Sequence, residues 1–351
     1  MLRNPAQVES LVAAIFRAAG SSGAEARTIA EHLVDSNLVG HDSHGIVRVH
    51  KYVEWASDGL VVPNRHAQVV RDSGSAILVD GEFGYGQVIG REAMDLLAER
   101  VKKHGSVSLA IRNSGHLGRI GAWAERLARE RIVSVHFVNT SGFGILVAPH
   151  GGSDRRLSAN PIAAGTPTID GPPIVLDMAT SIIAEGKIQM MRNKGERLPA
   201  NSVIDGSGAP TTDANLFYAD PPGAILPVGA HKGSGLSFFC EVLAGALTGG
   251  FASNPDSPTC HRLVNNMLSI AFDPSTFESS DFFMDDVRRL AEWVGGSPPM
   301  KAGGSTLLPG ELERQTRESR EKHGIPVDSV TWLQLAATAT RLGVPVSDCA
   351  Q

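Results

Sequence analysis

The sequence predicts an α/β fold whose two ends are helical. Apolar residues recur every three or four positions near both termini, strand–turn–helix units fill the middle, and no internal repeat or low-complexity tract interrupts them. A chain of 351 residues is long enough to bury a large core and to form two lobes. We therefore expect an N-terminal helical segment (1–70) that packs with a C-terminal helical segment (311–351), and a central α/β domain (71–310) that carries the chemistry.

The N-terminal segment is predicted to contain three helices. The first two, Gln7–Ala19 and Ala24–Val39, have apolar residues at helical spacing and are separated by a glycine–serine turn. The third, His44–Asp58, is expected to open at a Ser-His-Gly turn. It would place His44, Arg48 and Tyr52 four residues apart on one face.

The rest of the chain alternates between short apolar strands and amphipathic helices. Strands are predicted at Ala76–Asp80, Ser108–Ile111, Val133–Phe137, Pro173–Asp177 and Met267–Phe272. Helices are predicted at Gln87–His104, Ile120–Glu130, Ser181–Asn193, Leu236–Leu247, Phe282–Val294, Glu311–His323 and Ser329–Leu342.

Composition and charge exclude several classes of protein. A net charge of −5 and a pI near 6.2 give no reason to expect nucleic acid or an anionic membrane as a partner. No apolar run approaches the length of a membrane span, and the first apolar stretch is predicted to be an amphipathic helix and not a signal peptide. The three cysteines have no CxxC spacing, so neither a zinc site nor a disulfide framework is indicated. We expect a cytoplasmic protein with reduced thiols.

A glycine-rich turn between a strand and a helix imitates a dinucleotide-binding fingerprint. It contains Gly84-x-Gly86 followed by Gly90, but the glycine spacing differs from that fingerprint by one residue. No acidic residue closes a second strand about 20 residues further on, as the fingerprint requires. A tight turn that needs positive φ explains the glycines equally well. The motif therefore does not favour a conventional Rossmann site at this turn.

The first candidate site is the face formed by Ser43, His44, Arg48 and Tyr52. An imidazole can move a proton near neutral pH, a guanidinium fits a carboxylate, and a phenol adds a hydrogen bond. Together they could hold a small organic acid. A solvated helix face is the alternative explanation.

The second candidate is His116, which lies between glycines at the carboxyl end of a predicted strand. Ligands of α/β sheets bind at this end, and flanking glycines let the backbone approach a ligand closely. A helix-capping loop whose histidine bonds a carbonyl group is the alternative. Three glycines and two small polar residues in one loop favour a functional role.

Two further segments suit a nucleotide. His231-Lys232-Gly233 precedes an apolar helix, and glycine-rich backbone with a lysine at a helix N-terminus suits a pyrophosphate. The P-loop order is absent, so nucleoside triphosphate hydrolysis is not indicated. The segment 177–181 ends a strand with Thr180 and Ser181, which could simply cap the next helix. A buried carboxylate at Asp177 would need a partner such as an imidazole.

Taken together, these segments resemble the malate/L-lactate dehydrogenase family of NAD(P)-dependent oxidoreductases, which does not use a Rossmann fold. The matching residues occur in the family's order over about residues 5–345. They are Asp42-Ser43-His44-Gly45, Arg48, Tyr52, Asp80-Gly81, Gly84-x-Gly86-Gln87, Asn113-Ser114-x-His116-x-Gly118, Asn160-Pro161, Asp177-Met178-Ala179-Thr180-Ser181, His231-Lys232-Gly233-x-Gly235-Leu236 and Pro309-Gly310-Glu311. Departures at Gly115, where an asparagine is frequent, and at Ala230, where a glycine is frequent, affect the pocket shape more than the reaction.

The resemblance implies hydride transfer between nicotinamide and a small 2-hydroxy or 2-oxo carboxylic acid, or a cyclic imino acid, in a homodimer. It implies that NAD or NADP binds through Asn160, Pro161, Asp177, Met178, Ala179, Thr180, Ser181, His231, Lys232, Gly233, Gly310 and Glu311. We expect His44 to transfer the proton, oriented by Ser43 and Asp177, although His116 could bind the reacting oxygen or take that role instead. Arg48 is expected to hold the substrate carboxylate with help from Tyr52. Arg192 or Lys194 could meet a 2′-phosphate, but an exposed helix end explains both equally well.

Two rival classes remain. A non-catalytic binding module on an inactive enzyme scaffold is one, and the presence of His44, Arg48, His116 and Lys232 argues against it. A metal-dependent hydrolase or lyase that uses His41, His44 and His116 is the other. The sequence has neither HxH nor HExxH spacing, so no metal ligand set is predicted.

Overall fold

A seven-stranded mixed sheet forms the centre of the computed structural model, which describes residues 1–301 and 303–346. Its strand order is β2-β3-β4-β11-β5-β6-β7, and only the β3–β4 pair is parallel. The strands of the sheet are β2 (Gln68–Asp72), β3 (Ala76–Asp80), β4 (Ser106–Ser114), β5 (Val133–Gly142), β6 (Ile162–Thr166), β7 (Ile174–Met178) and β11 (Leu263–Phe272). The predicted α/β class is confirmed. Every strand predicted from the sequence overlaps a strand of this sheet.

Two smaller sheets complete the β-structure of the described residues. A three-stranded antiparallel sheet contains β8 (Val203–Ile204), β9 (Pro210–Thr211) and β10 (Ala224–Ile225). A two-stranded antiparallel sheet joins β1 (Leu2–Arg3) to β12 (Ile325–Pro326), so the first residues of the chain pair with a segment near its end.

The helices lie close to their predicted positions, with exceptions near the candidate site. They are α1 (Pro5–Ala18), α2 (Gly23–Leu38), α3 (Val49–Ser57), α4 (Gly86–His104), α5 (Gly121–Arg129), α6 (Glu185–Lys194), α7 (Ala214–Phe217), α8 (His231–Cys240), α9 (Ser280–Gly295), α10 (Glu311–His323) and α11 (Ser329–Arg341). Short 3₁₀ turns occur at Asp42–His44, Ile46–Arg48 and Pro274–Thr276, and a π-helical turn, Glu241–Ala246, follows α8 directly.

The two helical ends of the chain share one apolar core. Buried residues of α1, α2 and α3 pack in the same cluster as Ile325, Leu335 and Ala339 from the C-terminal segment. Side-chain caps fix where the helices start: Asn4 accepts a hydrogen bond from the first turn of α1, and Ser22 does the same for α2. This core also contains Ile46 from the turn after α2 and Val88 of α4. The boundaries at 70 and 311 stay a prediction, and Cys349 lies outside the described residues.

A second core lies between the central sheet and helices α4 and α5. Fully buried side chains from both helices, among them Met94, Leu97 and Leu127, belong to the same cluster as Leu109 and Ile111 of β4. Because α4 and α5 follow β3 and β4 in the chain, the loops that precede these helices lie at the carboxyl ends of those strands.

Within the described ranges, no helix combines the length and the apolar character that a bilayer crossing needs.

Candidate active site

The segment between α2 and α3 carries the first candidate residues, but it is not one continuous helix. Two 3₁₀ turns separated by Gly45 replace the predicted helical start, so His44 and Arg48 precede α3. Gly45 is needed there because a Cβ atom would lie 2.1 Å from the Asn37 side chain. That side chain accepts a hydrogen bond from the Ile46 amide at 2.8 Å and so fixes the bend.

Arg320 of α10 holds this bend from the far end of the chain. Its guanidinium donates to both carboxylate oxygens of Asp42 at 2.6 and 3.1 Å and also to the Asn37 carbonyl oxygen. The Asn37 amide donates to the same carboxylate at 2.6 Å. Bidentate arginine–carboxylate pairs fix orientation as well as distance. The turn that bears Ser43, His44 and Arg48 is therefore tied to α2 and α10 at once.

The two candidate histidines face each other. The rings of His44 and His116 are stacked with centroids 5.5 Å apart and planes within 10°. Ser43 Oγ lies 3.1 Å from His44 Nδ1, and Arg48 Nε donates to the Ser43 carbonyl oxygen at 2.6 Å. The structure thus brings together groups from a turn after α2 and a loop after β4, and both imidazoles are half-buried.

Their electrostatic surroundings keep both imidazoles neutral. Burial, assisted by the positive charge of Arg48, lowers the pKa of His44 to about 3. The same two causes, followed by His44, hold the pKa of His116 well below its ordinary value. A neutral imidazole can accept a proton on one nitrogen or donate a hydrogen bond from the other.

The hydroxyl of Tyr52 contacts His116 and Gln87. Its hydroxyl, almost fully buried, is 2.5 Å from His116 Nδ1 and 3.2 Å from the Gln87 amide nitrogen. The hydroxyl is thus bonded to protein groups behind His116, and a role for Tyr52 beside Arg48 stays a prediction. Gln87 is a functional candidate that sequence reasoning missed, although it directly follows the glycine motif.

The glycine-rich turn of Gly84 and Gly86 packs closely against the loop that carries His116. The Gly115 amide donates to the Gly84 carbonyl oxygen at 2.9 Å, and a Cβ atom on Gly86 would lie 2.3 Å from the His116 carbonyl oxygen. The explanation by positive φ is wrong for Gly84 and Gly86, since the positive φ angles fall on Glu82 and Phe83. The glycines allow close backbone approach, and they place His116.

Asp177 does not orient His44. Its carboxylate accepts a hydrogen bond from the Gly121 amide at 2.9 Å, at the start of α5, and lies 4.0 Å from His41 Nδ1. His41 Nε2 in turn lies 3.2 Å from the Glu313 carboxylate. Burial raises the pKa of Asp177, opposed by His41 and then by Arg119. Asp177 does have an imidazole beside it, but that imidazole belongs to His41 and not to His44.

Three of the predicted cofactor segments are neighbours. Thr180 donates from its amide and its hydroxyl to the Ala159 carbonyl oxygen, while its own carbonyl accepts the Val228 amide at 2.9 Å. A Cβ atom on Gly233 would lie 2.7 Å from the Thr180 carbonyl oxygen, so only glycine permits this contact. The residues around Asn160, 177–181 and 231–233 therefore form one surface beside β7.

Several expectations for these segments need correction. Thr180 and Ser181 do not cap the next helix, because Ser181 donates to the Ile183 carbonyl oxygen and α6 begins only at Glu185. The Asn160 side chain is buried and bonded to Ser237, Glu241 and the Thr140 amide, so it shapes the surface from below.

Helix α8 begins earlier than predicted, and Lys232 therefore lies in its first turn. The side chain is exposed, and among residues 1–301 and 303–346 it has no hydrogen-bond or ion-pair partner. Ala230 and Gly229, both with positive φ, form the bend before the helix. A positive side chain at the positive end of a helix dipole favours an anion nearby.

The segment that contains Gly310 and Glu311 meets β7 from the other side. The Val175 amide donates to the Pro309 carbonyl oxygen at 3.3 Å, and the Glu311 carboxylate accepts the Leu308 amide at 2.8 Å. Glu311 thus stabilises its own turn. Arg192 donates to Asn215 at 3.0 Å, while Lys194 is exposed at the end of α6.

The N-terminal turn and this surface adjoin each other. His41 faces Asp177, and a Cβ atom on Gly186 of α6 would lie 3.0 Å from Ser43 Cβ. A family model described as malate/L-lactate dehydrogenase matches residues 4–336, almost the whole chain. The chain belongs to the malate/L-lactate dehydrogenase family.

Relatives in this family have the same extent. The chain is 39% identical to hydroxycarboxylate dehydrogenase B of Escherichia coli over 340 residues, which cover 96% of the chain and 93% of that protein. It is 35% identical to a Δ1-pyrroline-2-carboxylate/Δ1-piperideine-2-carboxylate reductase of Pseudomonas putida, with 92% of each chain covered. The structure of sulfolactate dehydrogenase from Methanocaldococcus jannaschii superposes with a TM-score of 0.87 at 30% identity and covers 98% of each chain. This member of the malate/L-lactate dehydrogenase family is therefore an oxidoreductase.

Within the described residues, no three His, Cys, Asp or Glu side chains are grouped as metal ligands. Membership in the malate/L-lactate dehydrogenase family leaves the metal-dependent hydrolase or lyase without support.

Proposed function

We propose that this protein is an NAD(P)-dependent oxidoreductase that transfers a hydride between nicotinamide and a small 2-hydroxy or 2-oxo carboxylic acid. The observation that carries the proposal is the stacked pair of neutral imidazoles, His44 and His116, beside the Arg48 guanidinium. The pair supplies a proton acceptor and a hydrogen-bond donor, and the guanidinium supplies a carboxylate partner. The relatives named for hydroxycarboxylate and sulfolactate substrates support this substrate class.

The surface of Asn160, 177–181 and 231–233 suits the cofactor. Exposed Lys232 in the first turn of α8 offers a cation to the pyrophosphate, and Gly233 keeps that turn close to Thr180. Pro161 follows Asn160 directly, and Met178 and Ala179 belong to the segment 177–181. Gly310 and Glu311 adjoin β7. When bound, the nicotinamide ring would accept the hydride from the substrate or donate it.

In the oxidative direction, His44 accepts the hydroxyl proton of the substrate as its carbinol carbon loses the hydride. Ser43 Oγ, at 3.1 Å from Nδ1, orients the ring so that Nε2 is left for the substrate. Arg48 is held by the Ser43 carbonyl oxygen through Nε alone, which leaves the two terminal nitrogens for a carboxylate. His116 binds the reacting oxygen.

Reduction of a cyclic imino acid is the second candidate. The P. putida relative is named for it, and such a substrate has the same carboxylate next to the carbon that receives the hydride. The same groups would serve, with a ring nitrogen in place of the oxygen.

We also propose a homodimer with α8 at its interface. Phe238 and Phe239 on this helix expose 59% and 60% of their surface, and their rings adjoin each other with centroids 6.2 Å apart. Exposed apolar patches of this kind mark interaction surfaces. Because Lys232 lies on the same helix, the interface would adjoin the cofactor surface. A Phe238→Ser, Phe239→Ser variant should sediment as a monomer, whereas Leu312→Ser, equally exposed on α10, should not. A dimeric double variant would refute this interface.

A panel of 2-hydroxy acids, 2-oxo acids and cyclic imines, assayed with NAD(H) and NADP(H), tests the function directly. His44→Ala should lower kcat by about 10²–10⁴-fold without weakening NADH binding measured by fluorescence. Arg48→Lys should raise KM for the acid strongly because the fork geometry is lost. Turnover of no member of the panel with either nucleotide would overturn the proposal, and an unchanged KM in Arg48→Lys would remove the carboxylate partner.

A further inference from the structure

A buried chain of hydrogen bonds lies behind His116. The Tyr52 hydroxyl is 2.5 Å from His116 Nδ1, and Gln87 Nε2 is 3.2 Å from that hydroxyl. The same Gln87 nitrogen is 3.1 Å from the His116 carbonyl oxygen. The Gln87 side chain is completely buried and Tyr52 nearly so.

The hydrogen bond at the Gln87 end of this chain can run in one direction only. A carbonyl oxygen only accepts, so the Gln87 amide must turn its NH₂ group toward the His116 carbonyl. Its second N–H then points at the Tyr52 oxygen. His116 Nδ1 is the one acceptor that the described residues place within hydrogen-bond distance of the Tyr52 hydroxyl, so a hydrogen bond donated by Tyr52 goes to Nδ1. Burial raises the pKa of Tyr52 to about 12, so the hydroxyl keeps this proton at neutral pH.

Gln87 adopts this orientation at a cost. Its Oε1 atom is buried and has no hydrogen-bond partner in the part of the chain that the structure describes. A buried polar atom without a partner destabilises the folded state. The two hydrogen bonds that the Gln87 amide donates account for this orientation.

We infer that Gln87 and Tyr52 are positioning residues that hold His116 in the tautomer with its proton on Nε2. The inference rests on the proposed function and assigns different roles to the two histidines. His116 donates a hydrogen bond from Nε2 to the reacting oxygen, or to the imine nitrogen, and no proton leaves it. His44 is the group that takes and returns the proton.

The charges around His116 keep its ring neutral, as they do for His44, so the hydrogen bonds and not the charges distinguish the two roles. The groups that face it are Arg48 and His44 from the turn after α2, His32 from α2, and Tyr52 from α3. Among them only the guanidinium carries a charge, and it is positive, so the imidazole stays neutral. A neutral imidazole that donates from Nε2 polarises a carbonyl group as an electrophile.

Nitrogen NMR of histidine-labelled protein tests the tautomer without any turnover. The His116 signals, assigned by their loss in His116→Asn, should show a protonated Nε2 and an unprotonated Nδ1 in the wild-type protein. Tyr52→Phe and Gln87→Leu should each give a mixture of tautomers and lower kcat by about 10²-fold, with NADH affinity unchanged. Tyr85→Phe is the matched control, because Tyr85 is equally buried but its hydroxyl makes only a 3.4 Å contact to the Tyr52 carbonyl oxygen.

Two results would overturn the inference: a wild-type His116 protonated on Nδ1, or a Tyr52→Phe protein, folded by circular dichroism, that keeps the wild-type tautomer and kcat. Failure of the proposed function looks different, since the wild-type protein would then turn over no acid or imine whatever tautomer His116 adopts.

Discussion

Replacement of Gly86 by alanine tests how closely the loop of His116 must be placed. The new Cβ would lie 2.3 Å from the His116 carbonyl oxygen and 2.6 Å from that of Gly115, and both atoms belong to backbone. Ordinary contact begins near 3.4 Å, so the loop must retreat by about 1 Å. The same carbonyl of His116 accepts the Gln87 amide, so the displacement weakens that bond as well.

A misplacement of about 1 Å in a catalytic group can cost about 10²-fold in rate. We therefore expect Gly86→Ala to lower kcat by roughly that factor at saturating cofactor and to lower stability by about 1–3 kcal/mol through overpacking. Steady-state kinetics and thermal unfolding measure the two effects, and NADH fluorescence should show unchanged cofactor affinity because Lys232 lies elsewhere.

Gly295→Ala provides the control. Gly295 ends α9, a Cβ atom there would meet nothing within 4 Å, and alanine in a helix should raise stability by about 0.5–1 kcal/mol. If Gly86→Ala retained the wild-type kcat, the claim that the two loops position His116 through close backbone contact would be refuted.

Three further predictions concern groups outside the immediate site. Arg320→Ala should cost about 1–3 kcal/mol of stability and lower kcat/KM for the acid, because Asp42 loses its bidentate partner; kinetics equal to wild type would contradict this role for α10. Glu241→Gln should raise KM for the cofactor, because an NH₂ group would replace an oxygen that accepts from Asn160, and an unchanged KM would show that α8 is positioned otherwise. Burial lowers the pKa of His136 to about 3, so this residue should remove up to ~3 kcal/mol of folding stability as pH falls from about 6.5, the unfolded value, to 4.5. Urea titrations at pH 7 and 4.5 measure the total loss, and His136→Gln should lose less than the wild type by this amount; an equal loss in both proteins would contradict the prediction.

The sequence was sufficient to predict the main layers of the fold. Long helices such as α2 and α4 bury one face each, so their apolar periodicity predicts a helix even when the local contacts are not known. The two-residue strands β8, β9 and β10 were missed because two residues carry no periodicity. Strand β2 was missed because all its residues are exposed, which removes the apolar alternation that marks a strand.

Predictions for the site failed where a distant contact decides local structure. Spacing alone suggested a regular helix from His44, but Asn37 and Arg320 hold that stretch in two 3₁₀ turns. The partner of Asp177 could not be chosen among 12 histidines without knowing which elements meet at β7. The sequence alone did not mark Gln87 as a functional residue, since a glutamine at the start of a helix has many ordinary roles.

The pairing of Asp42 with Arg320 joins residues 278 positions apart. A ribosome-bound chain would expose the stretch from Ser43 to Arg48 long before α10 leaves the exit tunnel. During that interval these residues lack their anchor, and the bend that orients them is incomplete. The turn that carries His44 is therefore anchored only after Arg320 has been synthesised, and a chain that stops before Arg320 would lack this anchor.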